Sequence, residues 1–444
     1  MSCKYSKNGV SRRAFLSGTA AAGVVAASPI AWAADAKNSG SPVGSRQAPI
    51  EAPQGKMGIP GPYPGRVIEV NHPGSLKDSR RVLYQRRNSA GYYTDRDPEV
   101  VQAMMDRGMM DLVGSDDATE AWRSLFAPAD RVGIKVVPVG APDSISSHEV
   151  VDSIVKGLES AGVRRRDILL VERYKEQFLR CKYDEAAPSG VRWECSSFEY
   201  DDSQLDIDGK HATIKDANYR GVVGYDADVY REMPYCQTPD IHDPSDDRRF
   251  RSHLSKIVTQ KVDKIINVPV LKDHGSAGVT LALKNLSHGF VNNVARSHVV
   301  LFREAEEMPA WASLNQCNDF IPAIVSMPLL REKVVLNVMD GLVGTWEGGP
   351  GGGETWQYKS LFFATDPVAM DHVGWEIIDA KRAQEGWPGV AEMGHTAQMG
   401  FKRGDKPSWE QFHSRHPQHI PLAGLLGLGV FDKEKITHQR VDLS

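Results

Sequence analysis

The chain has 444 residues, of which 41% are hydrophobic, and its formal net charge is −4. The hydrophobic content excludes a wholly disordered chain, and the length is enough for one large domain or about two or three ordinary ones. Because there is no basic excess to neutralise phosphates, the composition also argues against a nucleic-acid binding protein.

The beginning of the chain has the features of an export signal. Arg12 and Arg13 precede a mildly apolar, Ala/Gly-rich segment that ends in the small-x-small triplet Ala31, Trp32, Ala33. Paired arginines are typical of twin-arginine signals, which carry folded proteins across the bacterial inner membrane; a general cleaved signal is the alternative. We expect the twin-arginine translocase as a partner, cleavage near Ala33, a periplasmic mature protein and no stable membrane span after cleavage.

Cleavage would remove four basic residues and no acidic one, which leaves 49 Lys and Arg against 57 Asp and Glu, a formal charge of −8. Four cysteines then remain, Cys181, Cys195, Cys236 and Cys317. They form no CxxC pair, and their spacing is unlike that of iron–sulfur or structural zinc sites. We expect disulfides or unpaired buried thiols and no iron–sulfur cluster.

The domain organisation follows from composition. After the signal at residues 1–33, residues 34–65 are rich in Ser, Pro and Gly, which predicts a linker or an arm along the surface. The rest, 66–444, is predicted to be one α/β domain, with two lobes at 66–259 and 260–444 as the alternative.

The first regular elements predict a βαβ unit. Residues 130–139 have the pattern of a buried strand, residues 146–162 that of a helix capped by Ser146 or Ser147, and residues 167–172 that of the next strand. A right-handed crossover at this spacing makes the two strands parallel.

The second half repeats this alternation. Residues 262–272 form a near-continuous apolar run, and Asp366 is placed to cap a helix that begins at Pro367. Residues 193–244 are more polar and predict an insertion or lid. The fold class is therefore α/β, with a mostly parallel, Rossmann-like sheet flanked by helices.

A polar cluster interrupts the apolar run. Lys272, Asp273 and His274 follow the predicted strand, at the end where α/β sheets bind their ligands. Gly275 and Gly278 would let the backbone turn sharply and approach a ligand closely.

The next predicted helix adds to this cluster. Lys284 and His288 are four residues apart and share one helix face, with Asn285 beside them. Ammonium groups, imidazoles and an amide suit a small anionic ligand, with His274 available for proton transfer. The alternative is that the lysines are solvated edge residues and that the histidines bond locally.

Further along, Asp340 ends another predicted strand and is a candidate for substrate binding. The segment after it is rich in glycine but lacks the GK[ST] ending of a phosphate loop. A flexible flap over a cleft and an ordinary surface loop are both compatible with it.

A divalent metal has two weak candidate sites. Asp240, His242 and Asp243 form a loop cluster of the kind that binds hard cations or zinc, although a solvated acidic loop is the commoner case. Asp371 and His372 are adjacent on a predicted helix, so their side chains point in different directions and are poorly placed to share one ion.

Four stretches together resemble a known family, the bacterial and archaeal domain of unknown function 362. They are VGIKVVPV, INVPVLKDHGSAGVTLALKNLSHG, MDGLVGTWEGGPGGG and FFATDPVAMDHVG, and the resemblance covers about residues 132–400. The family name implies no reaction. Some members carry a ferredoxin-like module, whose cysteine motifs this sequence lacks.

A shorter resemblance concerns His274, the glycines after it and Lys284, which are similar to the H-x-x-x-G…K region of nickel-pincer lactate racemases. That resemblance implies a cofactor attached to Lys284, with His274 acting on the substrate.

Taken together, the sequence predicts a periplasmic enzyme that acts on a small anionic substrate through Lys/His acid–base or metal-assisted chemistry. The alternatives are a non-catalytic protein that binds a ligand or metal, and a distant relative of the nickel-pincer racemases.

Overall fold

The computed structural model describes residues 56–200, 219–233, 236, 245–297, 316–392 and 416–444. All of them belong to one compact unit, Pro49–Ser444. The predicted export signal lies outside the described residues. The first strand begins at Arg66, and the residues just before it lie against the body of the protein, with Ile59 and Tyr63 buried.

The described residues form strands and helices in alternation. The strands are β1 (Arg66–Asn71), β2 (Leu76–Arg86), β3 (Ser89–Arg96), β4 (Val132–Lys135), β5 (Ile168–Tyr174), β6 (Arg192–Ser197), β7 (Tyr225–Glu232), β8 (Arg251–Ser255), β9 (Lys264–Asn267), β10 (Val270–His274), β11 (Gly278–Val279), β12 (Val334–Glu347), β13 (Glu354–Ala364) and β14 (Thr437–Asp442). The α-helices are α1 (Pro98–Val113), α2 (Ala118–Leu125), α3 (His148–Ser160), α4 (Lys175–Arg180), α5 (Tyr183–Ala186), α6 (Leu281–Phe290), α7 (Cys317–Val325), α8 (Pro328–Lys333), α9 (Pro367–Gln384) and α10 (His419–Leu425).

The central sheet has the strand order of a doubly wound fold. Its parallel part runs β6-β5-β4-β9-β12, so the chain builds outward from β4 to β6 and then returns to the other side of β4 with β9 and β12. The direction of winding reverses between β4 and β9. This confirms the α/β fold and the parallel pairing of the first βαβ unit.

Antiparallel pairs extend the sheet beyond β12. Strands β12 and β13 form a long hairpin, β1 pairs with β13, and β14 pairs in parallel with β1 at the edge. Most strand pairs in the sheet are nevertheless parallel, as predicted.

Helices cover both faces of the sheet, and each face has its own core. On one face, Met104 of α1 and Ile154 of α3 pack in a cluster with Ile134 of β4. On the other face, Leu283 of α6 and Phe320 of α7 pack in a cluster with strand and helix residues such as Ile265. Because both faces of the sheet are buried, its strands have near-continuous apolar sequences.

The prediction of one continuous strand over residues 262–272 is wrong. This segment contains two strands, β9 and β10, which are separated by Val268 and Pro269. Proline has no backbone N–H to donate to a neighbouring strand. After this break, β10 pairs with the far part of β12, where Lys272 lies opposite Thr345.

Three further boundaries differ from the sequence prediction. The strand expected to end at Asp340 continues as β12 to Glu347. The strand expected over residues 130–139 is confined to β4, and β6 is an edge strand of the main sheet within the region expected to be an insertion. Later in that region, β7 pairs with β8 in a separate two-stranded sheet.

The remaining predictions concern cysteines and membranes. No disulfide joins the four cysteines, which all lie buried within the described residues. Over the same residues, every helix is too short or too polar to span a bilayer.

Candidate active site

A cavity of about 280 Å³ lies at the carboxyl ends of β4 and β5. Lys135 is the last residue of β4, and Glu172 lies near the end of β5; both line the cavity. This is the edge of the sheet next to the point where the winding reverses, which is where open α/β sheets bind their ligands.

Helix α6 forms one wall of the cavity. Lys284, Asn285 and His288 all line it, so the predicted shared helix face is confirmed as a structural feature. The start of α6 is fixed from another helix, because the Asp371 carboxylate accepts hydrogen bonds from the backbone N–H groups of Ala282 (2.7 Å) and Leu283 (2.9 Å).

Lys135 is buried and fully engaged. Its Nζ forms an ion pair with Glu172 and donates hydrogen bonds to the backbone oxygen of Val136 (2.6 Å) and to Asn285 Oδ1 (3.0 Å). A Cβ at Gly289 of α6 would overlap with the Lys135 side chain, so glycine leaves the room that this lysine needs. Burial lowers the pKa of Lys135, and the Glu172 carboxylate opposes this shift.

A chain of buried amides holds Asn285 in place. Its Nδ2 donates to Asn267 Oδ1 at 2.6 Å, and Asn267 Nδ2 donates to Asn337 Oδ1 at 2.9 Å. Asn337 in turn donates to the backbone oxygen of Ala364 at 3.3 Å. This direction of donation leaves the Asn285 oxygen facing the Lys135 ammonium, so Asn285 orients a cation of the site.

Three further cations reach the cavity without an acidic partner among the described residues: Arg173, Lys272 and Lys284. Lys272 Nζ donates a hydrogen bond to the backbone oxygen of Val139, and an Arg173 nitrogen donates to the backbone oxygen of His288. For Lys284 Nζ, the described residues provide no hydrogen-bond acceptor. The described part of the cavity wall therefore carries more basic than acidic side chains.

Burial and mutual repulsion change the acidity of these lysines. Burial, with a smaller contribution from the charge of Lys284, lowers the pKa of Lys272 to about 7. Burial also lowers the pKa of Lys284 to about 8; the nearby Cys317 thiol opposes this shift, and the charge of Arg173 adds to it. Both amines can therefore lose a proton near neutral pH, unlike an exposed lysine.

The two histidines of the site differ in their surroundings. His274 Nδ1 accepts hydrogen bonds from the backbone N–H groups of Ser276 (2.9 Å) and Ala277 (3.1 Å), so the neutral ring carries its proton on Nε2. Both ring nitrogens of His288 contact hydroxyls, Ser287 Oγ at 2.9 Å and Ser297 Oγ at 2.7 Å. In the neutral ring of His274, the proton available for exchange is therefore the one on Nε2.

The glycine-rich segment is the turn between β12 and β13, and it is anchored beside the cavity. Gly349 N donates to Asp273 Oδ1 at 2.8 Å, and Gly275 N donates to the backbone oxygen of Gly349 at 3.0 Å. Pro350 lines the cavity. These contacts hold the turn against the β10–β11 hairpin, whose residues His274 and Gly278 are paired.

Two candidate residues lie outside the cavity lining. The Asp340 carboxylate accepts hydrogen bonds from the backbone N–H groups of Ser147 (2.8 Å) and Leu342 (3.0 Å), so it helps to hold the start of α3. Burial raises the pKa of Asp340. Gly278 has φ +78°, a conformation that favours glycine, and it shapes the hairpin that carries His274.

The candidate metal ligands do not come together in the described residues. Asp371 holds the start of α6, whereas His372 Nε2 lies 3.6 Å from Glu376 Oε1. Asp240, His242 and Asp243 lie outside the described residues. Within those residues, no three His, Cys, Asp or Glu side chains form a group that could hold a metal ion.

Sequence reasoning missed Lys135, Glu172 and Arg173. A usable signal was present for Glu172 and Arg173, because they are charged residues at the end of an apolar run that was predicted to be a strand. Lys135 lies inside the run predicted as the strand 130–139, so its position at a strand end was not evident from the sequence. The carboxyl ends of parallel strands share one edge of the sheet, so charges at the ends of β4 and β5 should meet there.

A family model described as "Domain of unknown function (DUF362)" matches residues 205–376. The chain contains a DUF362 domain. The matched range of this domain includes β10, α6 and the whole β12–β13 hairpin, and it begins after β4 and β5. The family resemblance is thus confirmed for residues 205–376, and Lys135 and Glu172 lie before that range.

A crystal structure of a Thermotoga maritima protein, determined by the Northeast Structural Genomics Consortium, is similar to this chain with 10% identity and a TM-score of 0.36. The similar region covers 64% of this chain and 59% of that protein. A comparison with curated proteins found no match.

Proposed function

We propose that the protein is an enzyme that binds a small anion in this cavity and moves a proton to or from it through Lys272. The observation that carries the proposal is the convergence of Arg173, Lys272 and Lys284 on one cavity without an acidic partner among the described residues. Burying an unpaired cation is costly, and an anionic ligand would offset that cost.

A carboxylate is the anion that best fits these donors. Arg173 Nε is buried and has no hydrogen-bond acceptor among the described residues. A guanidinium can bind a carboxylate through two parallel hydrogen bonds, and a lysine ammonium adds a point charge. Phosphate shares this chemistry, so it belongs among the ligands to be tested.

Lys272 is the group proposed to transfer the proton. Its pKa of about 7 means that ammonium and amine are both present at neutral pH, which is the condition for efficient general acid–base catalysis. His274 Nε2 is a second candidate for proton exchange. Asn285 and Glu172 would keep Lys135 in place as a fixed positive charge.

The test is calorimetric titration of the full chain with acetate, propionate, pyruvate and inorganic phosphate. Binding should weaken by roughly tenfold between about pH 6.5 and about pH 8.5, because Lys272 loses its charge in this interval. Lys272→Met should weaken binding at the lower pH. Lys156→Met is the matched control, since Lys156 is half-exposed on α3 and pairs with Asp152.

Catalysis has a separate readout. Incubation of 2-hydroxy and 2-oxo acids with the protein in D₂O should place deuterium at the carbon beside the carboxylate or carbonyl, and Lys272→Met should abolish this exchange. Absence of binding to every anion, or equal binding by Lys272→Met, contradicts the proposal. Tight binding without exchange favours the non-catalytic binding protein instead.

We also propose that the protein is exported to the periplasm by the twin-arginine translocase. The support is the sequence pattern that surrounds Arg12 and Arg13. Replacing both arginines by lysine should leave the protein in the cytoplasm of a bacterial host, as measured by cell fractionation. Unchanged export of this variant would favour a general signal.

A further inference from the structure

Lys284 differs from Lys135, another buried lysine that lines the cavity. Lys135 has an ion pair and two further hydrogen bonds, whereas Lys284 Nζ has no hydrogen-bond acceptor or acidic partner among the described residues. The Lys284 side chain is nevertheless 6% exposed and lines the cavity. Within the described part of the chain, the Lys284 amine therefore has no hydrogen bond or ion pair to lose when it reacts.

The surroundings favour the neutral amine. Nearby apolar residues of α6, such as Leu283 and Leu286, are fully buried, and Arg173 adds positive charge close to Lys284. Desolvation and a neighbouring cation are the two means by which proteins convert a lysine ammonium into a nucleophile. The pKa of about 8 agrees with this geometry.

We propose that Lys284 Nζ condenses with the carbonyl carbon of a small oxo acid, a carboxylic acid that also carries a ketone or aldehyde, to form an imine. This inference rests on the proposed function, because the same cavity must hold the carboxylate. Arg173 and Lys272 would bind the carboxylate and so direct the carbonyl group towards Lys284.

The step balances without an oxidant or reductant. The lone pair of the neutral Nζ forms a C–N bond, and the carbonyl oxygen takes up a proton. Nitrogen then loses its protons as the C–O bond breaks and the oxygen leaves as water. The Lys272 ammonium can supply the proton to the departing oxygen, and its amine can take one back from nitrogen.

The size of the cavity limits the substrate. A volume of about 280 Å³ accommodates an acid of a few carbon atoms. The β12–β13 turn, which is anchored through Gly349 and places Pro350 in the lining, closes part of this space. A short oxo acid such as pyruvate is therefore the appropriate probe.

The experiment is reductive trapping of the full chain with pyruvate and cyanoborohydride, followed by intact mass and peptide mapping. The reductant adds hydride to the imine carbon and leaves a stable secondary amine. The expected result is one added reduced pyruvate on the peptide that contains Lys284. Propionate, which has the carboxylate but no carbonyl, should give no adduct.

Two variants keep the test interpretable. Lys284→Arg retains the positive charge but cannot form the imine, and Lys284→Met removes both properties; each should lose the adduct. Circular dichroism and thermal unfolding of both variants establish that they fold. Lys156→Met should trap pyruvate as the parent protein does.

Adducts that are spread over surface lysines, or an adduct that persists in Lys284→Arg, overturn the imine. If calorimetry detects binding of pyruvate and propionate but no adduct forms, the imine is wrong and the proposed anion site stands. If neither acid binds and no adduct forms, both proposals fail.

Discussion

Two parts of the molecule bury charged side chains and differ in what surrounds the charge. At α9, the Asp366 carboxylate accepts hydrogen bonds from four backbone N–H groups, and the Asp371 carboxylate accepts two from the start of α6. In the cavity, Arg173, Lys272 and Lys284 lack an acidic partner among the described residues. The first region uses its charges to fix helix ends, whereas in the second the described residues leave three cations without an ion pair.

Perturbed pKa values occur in both regions, although the buried groups have different surroundings. Burial raises the pKa of Asp366 to about 6 and that of Asp371 well above its usual value, although their backbone donors act in the opposite direction. Burial lowers the pKa of Lys272 and Lys284. A shifted pKa alone therefore does not identify a functional group. The difference lies in whether the hydrogen-bonding capacity is already used.

The largest expected effect concerns Asp366, whose buried carboxylate accepts four hydrogen bonds. Asp366→Ala would leave four buried or partly buried backbone N–H groups without their acceptor, and we expect the free energy of unfolding to fall by about 2 to 4 kcal/mol. Chemical denaturation measures this change. Asp117→Ala is the matched control, because Asp117 caps α2 in an exposed position and should cost about 1 kcal/mol.

Equal losses in these two variants would show that the four hydrogen bonds of Asp366 add nothing beyond an ordinary cap, and the contrast between the two regions would disappear.

The second expected effect is a gain in stability, and it concerns the buried lysines Lys272 and Lys284. Below about pH 7, both lysines are charged in the folded protein, and the cost of burying that charge is fully present. As pH rises towards the unfolded value of 10.5, the unfolded chain binds more protons than the folded one, so stability increases. The slope should reach about 1.4 kcal/mol per pH unit for each lysine.

Lys272→Met and Lys284→Met should each stabilise the protein by about 2 kcal/mol near pH 7 and reduce this slope. The rise of stability with pH should begin near pH 7 for Lys272 and near pH 8 for Lys284. Denaturation at several pH values measures it, with Lys156→Met as the control. A loss of stability in both methionine variants would mean that these charges are satisfied after all.

The smallest expected effect concerns the space that Gly289 leaves beside the Lys135 side chain. In Gly289→Ala, overpacking against Lys135 outweighs the gain in helix propensity, and we expect a net loss of about 1 kcal/mol. Anion binding should weaken as the Lys135–Glu172 pair shifts. Gly351→Ala is the control, because a Cβ there meets nothing within 4 Å. A gain in stability with unchanged binding would mean that Lys135 moves without cost.

Much of the fold was predictable because it depends on local patterns. The apolar runs and the helix between them predicted the parallel β4–β5 pair, and the Asp366–Pro367 sequence predicted the start of α9. The spacing of Lys284 and His288 likewise predicted one helix face. Each of these features is set by residues close together in the chain.

Only some of the residues that form the site could be predicted from the sequence. The residues of β10 and α6 were found because they are neighbours in sequence. Lys135 and Arg173 were missed, although both line the same cavity, because they are brought there by strand pairing between distant segments. Asp371 was a weak metal candidate by composition, but its position against α6 commits both of its oxygens to backbone groups.

By itself, the sequence determined the α/β class, the helix that carries Lys284 and the presence of a Lys/His cluster at a strand end, since periodicity and caps act locally. Only the tertiary structure decided which charges are satisfied. That outcome depends on which donor meets which acceptor across long distances in the chain, as Glu172 meets Lys135 and no described acid meets Lys284. The uncompensated charge that the proposed function requires arises at that level.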